Sequence, residues 1–219
     1  MIFLFFNLFL MAILFFFVIT LMFIPYGFTA YSLITLITVP QQIINIAKNK
    51  AIRRNHALEH ATINVLERYA GKNLPLSGLA QKDGFIISGA QDPGLVVEAA
   101  REGLRLLKQE ECQLAIHRRC GTSIAIANFL AAVIFLIFLI QTGHFSILSI
   151  IIALLIANIL GPYLGELTQK YFTTSCDVED LEIVGIQPEF RSEEHYNVLL
   201  NYMPQGYFIR TECIKLIRD

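Results

Sequence analysis

Hydrophobic positions are spread unevenly along the chain. Residues 1–47 contain no Asp, Glu, Lys or Arg, and neither do residues 120–165. Ile2 to Ile24 is predominantly apolar and matches the about 20 residues that a helix needs to cross a bilayer core. Pro25-Tyr26-Gly27 predicts a turn after it. Phe28 to Ala47 then reads as a second span, or as a half-span ending in an interfacial helix, since it carries Pro40 and Gln41-Gln42. Ser123 to Ile140 and Phe145 to Leu160 predict two more spans, joined by a tight hairpin at Gln141-Thr142-Gly143-His144. The first stretch lacks a basic n-region and a small-x-small site, so it reads as an uncleaved span. Gly161-Pro162-Tyr163-Leu164-Gly165 reads as a helix exit.

The other two blocks have the periodicity of a water-facing domain. Asn55 predicts an N-cap and Ala57 to Ala70 a helix that Gly71 can end. Gly84 to Gly89 predicts a short strand between turn formers. Asp92-Pro93 predicts the next helix start, with Asp as cap and Pro at the first position. Cys112 to His117 predicts a strand. The tail predicts strands at Leu181 to Ile186 and Tyr207 to Leu216, with a helix near Glu193 to Tyr202. The expected architecture is therefore a helical membrane protein of about four spans with a small cytoplasmic α+β domain built from two segments. Its parts are residues 1–47 (N-terminal membrane region), 48–119 (α+β segment), 120–165 (membrane hairpin) and 166–219 (acidic α+β tail).

Composition sharpens this. Of 219 residues, 55% are hydrophobic and 16% charged, against about 45–50% and 25% in ordinary soluble domains. A soluble globular enzyme, a disordered chain and a secreted disulfide scaffold are excluded. The net charge of −1 without a basic stripe argues against nucleic acid as a partner; the lipid bilayer is the expected one. Lys48, Lys50, Arg53, Arg54, Arg118 and Arg119 flank the spans, so the positive-inside rule puts both polar segments on the cytoplasmic side of the cytoplasmic or a thylakoid-type membrane. Their opposite net charges, +4 and −5, favour docking over a range of about 10 Å. Cys112, Cys120, Cys176 and Cys213 all fall on that reducing side, where disulfides are not expected.

The candidate chemistry is concentrated at His56-Ala57-Leu58-Glu59-His60, an H-x-x-E-H pattern like that of inverted zincins. Two histidines four apart on a helix can reach one metal, and Glu59 can take a proton from metal-bound water. On a helical wheel His56, His60, Glu67 and Glu59 share a side opposite Leu58, Val65 and Tyr69. This is either a plain solvated face or one that the second segment covers to make a polar pocket. His117 and Cys120 form H-x-x-C ahead of the third span, a spacing that suits a turn donating two ligands; a strand-end histidine and a compact buried thiol explain it equally. His56, His60, His117 and Cys120 would close a structural zinc site, whereas three of them plus a water would make a catalytic one. Glu166 and Cys176 are weaker fourth ligands. His144 lies on the opposite side, and His195 reads as solvent-exposed. No G-x-S-x-G or Ser-His-Asp pattern occurs.

These segments resemble an uncharacterised, mainly cyanobacterial membrane-protein family of unknown function. The resemblance rests on Asn55-His56-Ala57-Leu58-Glu59-His60-Ala61-Thr62, Gly84-Phe85 to Gly89, Ala115-Ile116-His117-Arg118-Arg119-Cys120-Gly121-Thr122, Gln169-Lys170-Tyr171-Phe172-Thr173-Thr174 and Tyr207-Phe208-Ile209-Arg210. It covers about residues 50–216; Ser123 departs from the Asn of that pattern, and the N-terminal span lies outside it. It implies an architecture and no activity.

Two functions are consistent with these residues. One is a zinc-dependent, peptidase-like hydrolase with Glu59 as base. The other is a non-catalytic assembly or accessory protein, acting with a membrane-protein partner, in which the same residues form a structural site or simply pack. A transporter is disfavoured, because the spans lack the charges that mark ion paths.

Overall fold

The computed structural model describes residues 2–189 and 206–214. The helix expected near Glu193 to Tyr202, with His195, lies outside them. The chain divides into two compact units, residues 1–41 with 124–162 and residues 42–123 with 163–219.

The first unit is helical. Helix α1 (Ile2–Ala47) is continuous, with Pro25 and Pro40 inside it. The turn expected at Pro25-Tyr26-Gly27 is therefore absent. A proline ring removes only one N–H from the helical ladder, a loss that membrane-type helices tolerate; further along, Thr29 donates to the Pro25 carbonyl at 2.7 Å and Ser32 to that of Phe28 at 2.7 Å. Helices α4 (Gly121–Thr142) and α5 (Ile147–Thr168) follow the expected third and fourth spans. The exit expected at Gly161 to Gly165 is instead helix interior. Among the described residues three helices are thus long and apolar enough to cross a membrane; the expected count of about four is not confirmed. Within this unit Phe135, Ile150 and Ala153 are buried, and Phe28 meets Phe135 edge-on at 4.9 Å. Outward-facing Phe, Leu and Ile side chains elsewhere on these helices are exposed, as a lipid-facing surface requires.

The second unit is a two-layer α+β domain. Helix α2 (Lys50–Ala70) begins less than two turns before the His pair and ends at Gly71, whose φ of 63° is the left-handed stop that glycine adopts freely. Its N-cap is Asn49, not Asn55. Helix α3 (Pro93–Lys108) opens on the Asp92 cap as expected. Strands β1 (Ser77–Ala80), β2 (Gly84–Ser88), β3 (Leu181–Glu189) and β4 (Gly206–Cys213) form one antiparallel sheet in the order β1-β2-β4-β3. The tail thus completes the sheet, with β4 seated between β2 and β3. Phe85, Ile87 and Ile209 point inward onto Leu58, Val65, Val96 and Leu107. Helices α2 and α3 approach closely where Gly103 faces Ala61.

The strand expected at Cys112 to His117 is a 3-10 turn, Cys112–Ala115; it has no sheet neighbour, and its carbonyls turn toward α2. After α5 the chain makes a π-helical turn, Gln169–Thr173. The expectation of no disulfide also gives way. Cys112 and Cys176 are bonded, with Cα atoms 5.7 Å apart across 64 residues of chain. Folding of the tail onto the 3-10 turn brings them together, and no local pattern announces it.

Candidate metal centre

The polar face of α2 is covered. His56, Glu59 and His60 are all buried, His60 to 1% exposure. The cover comes from the 3-10 turn, from the turn leading to Cys120, from the π-helical turn and from β1, so this face is covered and not the plain solvated one.

Backbone carbonyls fix both histidines. His60 Nδ1 lies 2.7 Å from the Ala115 carbonyl, and His56 Nδ1 lies 2.9 Å from that of Thr173. A carbonyl can only accept, so each Nδ1 carries a hydrogen, and each Nε2 is the ring atom directed away from that carbonyl. His60 Nε2 is buried without a hydrogen-bond partner. His56 Nε2 meets Cys120 Sγ at 3.3 Å. Ligand atoms of His56, His60 and Cys120 lie within 4.8 Å of one another, a group that could hold a metal ion. Burial, then the neighbouring His56, keeps the His60 pKa well below its ordinary value, so this ring is a neutral donor. Burial pushes the Cys120 thiol up; such a thiol is a poor free nucleophile and loses its proton on meeting a metal.

Glu59 sits one residue from His60 and leans on β1. An added Cβ at Gly78 would land on its carboxyl oxygen, so only glycine leaves room there. Burial raises its pKa to about 8, against the opposing pull of His56 and a hydrogen bond from the Ala80 backbone. A carboxyl poised near neutrality can give and take a proton.

His117 is not brought into the ligand group. Its Nε2 faces Glu67 Oε2 at 3.5 Å, and its ring centre is 6.0 Å from that of His60. Glu67 also pairs with Arg119 and accepts from the Leu74 N–H at 2.9 Å. Glu166 faces Arg118, and Cys176 is in the disulfide. His144 is exposed, in the other unit.

Three supporting residues were not singled out for this role by pattern. Gln169 is fully buried. Its Oε1 accepts from the His117 N–H at 2.9 Å, and its Nε2 donates to the His117 carbonyl at 3.1 Å and to Ser123 Oγ at 2.7 Å. That clamp holds the turn presenting Cys120. Asn55 donates to the Gln81 carbonyl at 2.8 Å and accepts from Thr211 at 2.7 Å, tying α2 to the sheet. Arg54 pairs with Asp177 and Asp180. Gln169 and Asn55 stand inside the quoted motifs, which was the available signal.

A buried, carbonyl-oriented His-His-Cys cluster on an α+β unit of a membrane-type chain defines a class of candidate metalloprotein. The chain belongs to the family described as Domain of unknown function (DUF6391), which matches residues 51–186. An uncharacterized protein of Picosynechococcus sp. is 39% identical over 89 residues, 37% of this chain and 43% of that relative. The matched stretch is thus less than half of the relative's length. Family membership and a cyanobacterial relative both agree with the motif-based expectation. No solved structure matches this chain.

Proposed function

We propose that this protein is a membrane-bound metal-dependent hydrolase of the peptidase-like kind, with zinc held by His56, His60 and Cys120. The observation that carries the reading is the partnerless, buried Nε2 of His60 grouped with the Cys120 sulfur and a His56 ring whose Nε2 lies 3.3 Å from that sulfur, each ring set by a carbonyl at Nδ1. Metal-ligating histidines characteristically donate their second N–H in this way, and His nitrogen and Cys sulfur are both ordinary zinc ligands. Three protein ligands leave a fourth position for water, the arrangement of catalytic rather than structural zinc. Glu59 would then act as the general base toward a water at the site, and a bound metal would supply Lewis-acid activation there. The polar segments lie on the cytoplasmic side in this reading, from the basic residues flanking the spans.

A second reading has its own support. Glu59, His56, His60 and Cys120 are each at most 7% exposed, and a buried centre suits a structural site in an accessory protein.

Metal content of detergent-purified protein separates these readings from a purely packed cluster. One equivalent of zinc is expected in wild type and none in His60→Ala. A folded, zinc-exposed wild type without metal would overturn both. Glu59→Gln then decides between them: it should keep the metal and abolish hydrolysis of a fluorogenic peptide library. Metal-replete wild type with no turnover on that library would favour the structural site.

A further inference from the structure

The Cys112–Cys176 pair occupies a particular place relative to the site. Cys112 opens the 3-10 turn whose last residue, Ala115, supplies the carbonyl on His60. Cys176 follows by three residues Thr173, which supplies the carbonyl on His56. One covalent bond therefore joins the two segments that orient the two histidines. Cys112 is exposed and Cys176 half-buried, whereas Cys120, the sulfur of the metal group, is buried. A redox partner can reach the pair without entering the site.

We infer that Cys112 and Cys176 form a redox-sensitive modification site that tunes metal affinity at the His56–His60–Cys120 centre, an inference that rests on the metal reading above. The reducing agent is a dithiol, small-molecule or protein. Its thiolate attacks one protein sulfur and forms a mixed disulfide while the other protein sulfur leaves. Its second thiol then closes the reductant's own disulfide. Two electrons and two protons end on Cys112 and Cys176, and the reductant is oxidised by the same amount. In a reducing compartment the pair stands as two thiols, and an oxidised dithiol-type partner closes it. Exposed disulfides are the exchangeable, regulatory kind.

The size of the effect follows from what else holds the two segments. Asn64 donates to the Leu114 and Ile116 carbonyls at 2.9 and 3.2 Å, and Arg53 holds the Thr174 carbonyl at 3.0 Å. The carbonyl clamps therefore survive reduction but lose their covalent tie. Disturbing the partners of metal ligands typically costs 10–100-fold in metal affinity; with these bonds retained, the low end, about 10-fold, is expected.

The test uses the full-length protein in detergent with Co2+ as probe. Oxidised and dithiol-reduced samples, freed of reductant without air, are titrated and read by the Co2+ absorption bands, including the sulfur charge-transfer band. Alkylation under denaturing conditions counts thiols: Cys120 and Cys213 alone when the bridge is closed, all four cysteines when it is open. Tighter Co2+ binding by the oxidised form is expected, with Cys112→Ser/Cys176→Ser fixed at the weaker value whatever the treatment. Equal affinity of the two forms overturns the inference, and so does a bridge that no dithiol opens in folded protein. Absence of Co2+ bands in both forms is a different failure, that of the metal reading itself.

Discussion

Replacing Glu59 by Gln tests the electrostatics of the pocket without changing its shape. The carboxyl is 5% exposed and its pKa stands at about 8, against the ordinary 4.5, chiefly through burial. Between those two values the native carboxyl holds a proton that the unfolded chain has released. Unfolding then releases a proton, so stability falls as pH rises from 4.5 to 8 and is flat outside that window. At about 1.4 kcal/mol per pH unit, the full gap is worth on the order of 5 kcal/mol. Gln keeps an acceptor for the Ala80 N–H and cannot ionise. Metal-free wild type and Glu59→Gln, both in detergent with chelator, should be unfolded thermally across pH 5 to 9. The wild-type midpoint should fall relative to the variant as pH rises toward 8, and the difference should stop growing above it. Two curves that run parallel throughout would refute the assignment of a buried, protonated carboxyl. Restoring the metal should lower the carboxyl's pKa and shift the window to lower pH, since a nearby cation favours the carboxylate.

Further outcomes follow from the same geometry. Because burial holds the Cys120 thiol above its ordinary value, metal capture must displace its proton; affinity should rise about tenfold per pH unit near neutrality, and pH-independent Co2+ affinity would remove Cys120 from the ligand set. Gln169→Leu strands the buried N–H of His117, whose carbonyl keeps the Cys120 N–H, and should cost about 1–3 kcal/mol, with weaker metal binding; an unchanged melting midpoint would show that the clamp is dispensable. Gly103→Ala places a methyl 3.1 Å from Ala61, where α2 and α3 must separate, at about 1–3 kcal/mol by thermal or denaturant unfolding.

Much of the local structure was written in the chain. The Asp92-Pro93 start of α3, the Gly71 stop of α2, the β2 run and the apolar helices α4 and α5 are set by caps, turn formers and composition, which act over a few residues. The His-x-x-Glu-His spacing likewise put three polar side chains on one side of α2. Local signals failed where tertiary context competed with them. Pro25 looked like a break, yet the loss of only one N–H left α1 intact. Cys112 to His117 had strand-like composition but has no neighbouring strand to pair with, so it winds into a 3-10 turn. Asn55 looked like a cap and is instead a cross-link to the sheet.

The sequence by itself determined that two uncharged blocks make membrane-type helices and that His56, Glu59 and His60 share a side of one helix. Only the tertiary structure decided that this side is buried, because its cover comes from β1, about 20 residues on, and from segments about 55 to 117 residues away along the chain. It also decided which sulfur joins the histidines, turned His117 toward Glu67 and set Cys112 beside Cys176. Ring orientation, tautomer and disulfide proximity depend on carbonyls and side chains supplied from distant segments. No periodicity in one stretch of chain encodes where another stretch will lie.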